Sequence, residues 1–172
     1  MDILSGIELA IKNEADGIEF YRKAKDKTKH PIGKMMFEAF MQDEKEHLEL
    51  LQSLKKGAGP LSIDIDRLKQ KKSPRERVKG LFEAVKDAVA GRIEANPDEL
   101  EALRIAMDTE KEGYQLYQQL AQQATTSEEK VFFEFLVGEE KQHFQLLQNT
   151  YTYLSDTGNW FLWEERGLLD GG

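Results

Sequence analysis

Apolar residues recur three and four positions apart along most of the chain, and no stretch alternates with period two. The pattern therefore predicts helices and no strands. Ser5 and Glu8 form a capping-box pair, so the first helix is expected to begin there. Ile7, Ile11, Glu14, Ile18 and Tyr21 share one of its faces. His30-Pro31 breaks it, because a residue before proline resists helical dihedrals, and Pro31 suits the first position of a second helix. That helix carries Met36, Phe37, Phe40, Met41, Glu44, His47, Leu48 and Leu51, and Gly57-Ala58-Gly59-Pro60 stops it. Leu61 to Lys72 has no period and reads as an irregular connection, with the lysines of 69–72 in solvent. Ser73-Pro74, with Glu76, starts a shorter helix expected to end near Glu94. Pro97 opens a third long helix reaching about Gln123, and Thr125-Thr126-Ser127 turns into a fourth that ends at Asp156 to Asn159. The apolar tail Trp160-Phe161-Leu162-Trp163 is expected to close one end of the fold or to meet a second subunit.

Sliding the chain by 96 positions lays residues 7–54 over 103–150 without a gap, with 13 identities in 48 positions. Two copies of one helical hairpin imply an all-α four-helix bundle of approximate twofold symmetry. The expected organisation is one domain: a hairpin over 5–57, a crossover with a short helix over 58–95, a second hairpin over 97–155 and a tail over 156–172.

The identities include Glu14/Glu110, Glu44/Glu140 and His47/His143. A Glu and a His three residues apart point to one side of a helix, so Glu44 with His47, and Glu140 with His143, suit a single metal ion. The midpoint of Glu14 and Glu44 falls at residue 29 and that of Glu110 and Glu140 at 125, both in expected turns. The two glutamates of each hairpin therefore stand level, roughly 22 Å from the turn at 1.5 Å per residue.

Glu14 and Glu110 are expected to bind terminally, Glu44 and Glu140 to bridge, and His47 and His143 to complete one ion each. Two divalent ions balance the four carboxylates. Without them, carboxylate pKa values should rise and some groups should take up protons. Mixed imidazole and carboxylate donors suit iron or manganese, with zinc an alternative occupant of a purified sample. Tyr21 and Tyr117 lie two turns beyond Glu14 and Glu110; each hydroxyl is expected to support a bridging carboxylate, packing against Phe37 and Phe133 being the plainer reading. Asp43 and Glu139, rotated about 100° from the ligands, are expected to lie outside the set of residues that touches the metals. Lys34–Glu38 and Lys130–Glu134 read as exposed pairs, and the methionines 35, 36, 41 and 107 as core filler.

Composition narrows the alternatives. Net charge is −8 without a basic stripe, so nucleic acid is not an expected partner. There is no cysteine, which excludes disulfides, thiolate zinc and iron–sulfur or rubredoxin-type sites in this chain. No signal peptide or apolar run suited to a membrane is evident, so a cytoplasmic protein is expected.

With these motifs the sequence resembles the ferritin-like di-iron carboxylate superfamily, most closely rubrerythrin-like proteins, here without a rubredoxin domain. The resemblance covers Ser5 to about Tyr153. It implies two iron ions on the six residues named and oxidation of a di-ferrous centre by hydrogen peroxide or oxygen. It also implies re-reduction by an external donor, such as a separate rubredoxin-like protein. Oxidative-stress defence is the expected role; ferroxidase or iron-storage activity and an inert structural metal site are the alternatives. Because the crossover carries its own helix, a homodimer is expected in place of a cage. One departure concerns Gly113, where rubrerythrins carry a further Glu; the matching position is Gly17. These glycines either leave room for an oxidant or allow close helix packing, and packing is the favoured expectation.

Overall fold

The computed structural model describes residues 2–58, 68, 70–80 and 97–155. Four long helices dominate: α1 (Ile3–Lys27), α2 (Pro31–Ser53), α3 (Pro97–Gln123) and α4 (Ser127–Ser155). No strand occurs among the described residues. A π-helical turn, Leu54–Ala58, extends α2, and Gly57 ends it at φ 73°, a left-handed backbone that glycine adopts without a Cβ clash. Residues 74–80 of the crossover are helical. The Leu81–Val89 stripe, the end of the crossover helix near Glu94 and the Trp160–Trp163 tail lie outside the described residues. No described helix is long and apolar enough to cross a membrane.

Local chemistry sets the helix ends. α1 begins two residues before the expected Ser5. Asp2 is its cap and accepts from the Ser5 backbone N–H at 3.0 Å and the Ser5 hydroxyl at 2.7 Å. An ionised carboxylate is the stronger acceptor, so Asp2 wins over Ser5. His30 caps α2, its Nδ1 accepting from the Ile32 N–H at 3.2 Å, with Pro31 in the first turn as expected. Ser73 and Glu76 form the expected reciprocal box: the Ser73 N–H donates to Glu76 at 2.8 Å, and the Glu76 N–H to Ser73 Oγ at 3.3 Å.

The hairpins α1–α2 and α3–α4 pack with their turns at opposite ends. One apolar cluster therefore joins the turn end of the first hairpin (Tyr21, Ile32, Met36, Phe37, Phe40) to the open end of the second (Leu103, Ala106, Leu146, Leu147). The mirror cluster joins Ile7, Ala10 and Leu51 to Leu116, Leu120, Phe132, Phe133 and Leu136. Each fully buried Leu, Ile or Phe contributes roughly 1.5–3 kcal/mol. Glu99, in the first turn of α3, ties the halves at one end. Its carboxylate accepts from the backbone N–H groups of Lys29 (2.5 Å) and His30 (2.9 Å) and from the Thr28 hydroxyl.

Two surface expectations change. Glu38 pairs across the hairpin with Lys25 at 2.7 Å, not along its helix with Lys34, whereas Lys130–Glu134 forms as expected at 3.9 Å. Lys71 is not a solvated loop residue: its ammonium sits 2.5 Å from Glu46 and 3.7 Å from Glu139.

A candidate di-metal centre

Between the two apolar clusters lies a polar layer made by the six residues that the repeat singled out. Glu14, Glu44, His47, Glu110, Glu140 and His143 are all at most 4% exposed. They form two groups, Glu14–Glu44–His47–Glu140 and Glu44–Glu110–Glu140–His143, each offering four donor atoms within 4.8 Å of one another. Glu44 and Glu140 belong to both groups. His47 Nδ1 faces Glu140 at 3.0 Å, Glu44 at 3.5 Å and Glu14 at 3.6 Å. His143 Nδ1 faces Glu140 at 3.3 Å, Glu44 at 3.4 Å and Glu110 at 3.5 Å.

These contacts leave buried polar atoms unsatisfied. Glu14 Oε2, Glu44 Oε1, Glu140 Oε1, His143 Nδ1 and both ring nitrogens of His47 have no hydrogen-bond partner. Buried polar groups are nearly always paired, so a cluster of orphaned acceptors asks for a cation. The donor set, four carboxylates and two imidazoles, fits two divalent ions of the iron or manganese type.

The electrostatics agree. Burial, then repulsion from Glu44, raises Glu14 well above the usual carboxylate range; burial and Glu140 do the same for Glu110. Burial also opposes ionisation of Glu44 and Glu140, but the favourable contacts with Glu14, Glu110 and the two histidines outweigh it and lower them. Burial would lower His47 and His143, yet the surrounding carboxylates raise both well above their ordinary range. In the metal-free chain the layer thus favours binding protons where positive charge is missing.

The tyrosines reach carboxylates, but not those expected. Tyr21 donates to Glu110 and Tyr117 to Glu14, each across the interface to the other hairpin, not to the shared Glu44 and Glu140. Burial and the acidic neighbours push both phenols up, so they remain donors. Tyr21 also stacks on Phe37 with centroids 5.9 Å apart.

Asp43 and Glu139 belong to neither four-donor group, as expected, but they reach the far edges of the two histidine rings. Asp43 Oδ2 meets His143 Nε2 at 3.0 Å, and Glu139 Oε2 lies 3.8 Å from His47 Nε2. Burial opposes ionisation of Asp43, but the His143 hydrogen bond and Arg77 prevail and hold it at about 2. A signal for this pair was available: positions 43 and 139 are related by the repeat and are both acidic, though not identical.

The glycines resolve against close packing. A Cβ on Gly17 would meet only Glu44, with Cγ at 3.7 Å, and one on Gly113 only Glu140, also with Cγ at 3.7 Å. No neighbouring backbone comes within 4 Å. These are ordinary contacts, so Gly17→Ala and Gly113→Ala should each stabilise the metal-free protein by about 0.5–1 kcal/mol through helix propensity. A thermal melt reads this as a rise; a fall in either variant would restore the packing explanation.

The family profile for rubrerythrin matches residues 6–151. The chain belongs to the rubrerythrin family. Searches of curated proteins and of solved structures returned no match. Membership places the chain in a ferritin-like di-iron family. The polar layer lies wholly within the matched span. Unlike rubrerythrins that carry a rubredoxin-type iron, this chain has no cysteine to bind one.

Proposed function

We propose that the six residues hold two iron ions and that this rubrerythrin is an oxidoreductase of oxidative-stress defence, reducing hydrogen peroxide or oxygen. The observation that carries the reading is the pair of four-donor groups sharing Glu44 and Glu140, with unsatisfied atoms facing inward. Glu14 with His47 would serve one ion, Glu110 with His143 the other, and the two shared glutamates both. A bound ferrous pair supplies two electrons, one from each ion, to an oxidant.

The chain's own residues do the rest. The Tyr21 and Tyr117 hydroxyls hold one oxygen of Glu110 and Glu14, fixing which carboxylate oxygen remains for a cation. Phe40, fully buried and stacked on His143 at 4.2 Å between centroids, keeps water from that side. Gly17 and Gly113 leave Glu44 and Glu140 room to move. Reducing equivalents would come from a separate rubredoxin-like donor, and a cytoplasmic homodimer is the form we infer.

A second reading, ferroxidase or iron storage, is favoured by one feature: Gly113 adds no further carboxylate beside Glu140. Stopped-flow mixing of Fe(II)-loaded protein with peroxide, and separately with oxygen, divides the two. Much faster oxidation by peroxide is the expected result. Fast oxygen use with more than two irons retained per chain would favour storage, and no reaction with either would sink both.

A further inference from the structure

Two cationic residues of the crossover, Lys71 and Arg77, reach both Asp43 and Glu139, the acids beside the polar layer, and Arg77 comes nearer to each. Arg77 Nη2 lies 2.6 Å from Asp43 Oδ2 and 3.1 Å from Glu139 Oε2. Those same two oxygens face His143 Nε2 and His47 Nε2. The guanidinium therefore sits where the approximate twofold axis leaves the bundle, at the hub of two acid–histidine arms.

The crossover is built to hold it there. Val78, next in sequence, is 4% exposed and packs in the cluster with Met36 and Phe40. The Arg75 N–H donates to Gln142 Oε1 at 3.4 Å, reaching into the Glu140–His143 segment. Arg77 Nη1 donates to the Lys72 carbonyl, and Lys71 adds a second positive charge 3.7 Å from Glu139. Two buried carboxylates side by side would repel each other. One nitrogen of the permanently charged guanidinium, Nη2, lies between them and serves both at once, closer than the Lys71 ammonium at 4.0 Å from Asp43 and 3.7 Å from Glu139.

We propose that Arg77 is a positioning residue for both ions of the centre. By gathering Asp43 and Glu139 it places the carboxylate hydrogen-bonded to His143 Nε2 at 3.0 Å and the one facing His47 Nε2 at 3.8 Å, and so sets the turn of both rings, whose Nδ1 atoms face the carboxylates. The inference rests on the metal-centre reading above and adds to it that the crossover, not the bundle alone, sets the site. Supporting groups of this kind are worth roughly 10–100-fold in metal affinity.

The test is Co(II) titration of the full chain, followed by calorimetry and by the ligand-field absorption bands, which report coordination geometry. Arg77→Gln is expected to weaken both binding steps by roughly 10–100-fold and to alter the bands of both ions. Arg104→Gln is the control: Arg104 pairs with Tyr151 on the surface, away from the layer, so affinity and bands should match wild type. If Arg77→Gln is not helical by circular dichroism, Arg77→Lys carries the test and should weaken both ions by a smaller factor. Wild-type affinity and bands in the Arg77 variant, or a loss confined to one ion, would overturn the proposal. A wild-type chain that binds no pair of ions would instead overturn the metal centre itself, and this inference with it.

Discussion

Glu44→Ala and Glu140→Ala should each leave a helical chain that no longer binds two divalent ions. Both glutamates stand in both donor groups, so either loss removes a ligand from each ion at once. The effect should exceed the roughly 10–100-fold cost of losing a supporting group. The fold should survive, because removing Glu44 also removes a like charge that repels Glu14. Glu44→Gln, which keeps the volume, separates lost charge from a new cavity. In wild type, metal at about a hundred times its Kd adds about 2.7 kcal/mol of stability, at about 2–4 °C per kcal/mol for a chain of this size. Melting with and without Co(II) or Fe(II) should show that rise in wild type and lose it in each variant. Two ions bound with unchanged affinity would mean that the site has been misassigned.

Loading the site should release close to four protons. In the metal-free chain burial and repulsion from Glu44 and Glu140 favour the protonated forms of Glu14 and Glu110, while the carboxylates favour the charged forms of His47 and His143. Those four protons balance the four carboxylates, and two divalent ions replace them. The combined affinity for the pair should then rise up to about ten-thousandfold per pH unit while all four are bound.

Stability moves the other way without metal. The histidines, whose folded pKa values are raised, stabilise fully below their ordinary value of 6.5, and that stability is lost as the pH rises through the raised values. Glu14 and Glu110, raised from 4.5, act with the same sign from there upward. Glu44 and Glu140, lowered, contribute above their ordinary value and lose it only in acid. Metal-free protein should therefore melt lower on going from about pH 6 to about pH 8.5, and loaded protein should not. A metal-free melting temperature that climbs over that range would show that the layer carries no such protons.

The bundle was legible because each helix announces itself locally. Apolar spacing, Pro31, Pro97 and Gly57 act within a turn or two of where they stand, and the repeat supplied the pairing of the hairpins. The six residues of the polar layer followed, since level positions on hairpins of known turn can be counted. Contacts between hairpins could not be counted in that way. Spacing points Tyr21 to one of the shared glutamates, Glu44 or Glu140, yet its hydroxyl crosses to Glu110. Asp43 was set aside for a rotation of about 100° from the ligands; that rotation turns it toward α4, where His143 stands. Arg77 was invisible because nothing in its own segment marks it. Its meaning comes from two acids 34 and 62 residues away.

The 96-residue offset has one more consequence, for symmetry. Two separate copies of a single hairpin could assemble a bundle of this form, but every position in one half would then be forced to match the other. A fused pair is free of that rule. Position 43 is Asp and its twin at 139 is Glu, and one arginine from the crossover lies closer to the first than to the second. A repeat within one chain thus permits two unequal acids around a single guanidinium, an asymmetry that two identical chains related by an exact twofold axis could not present.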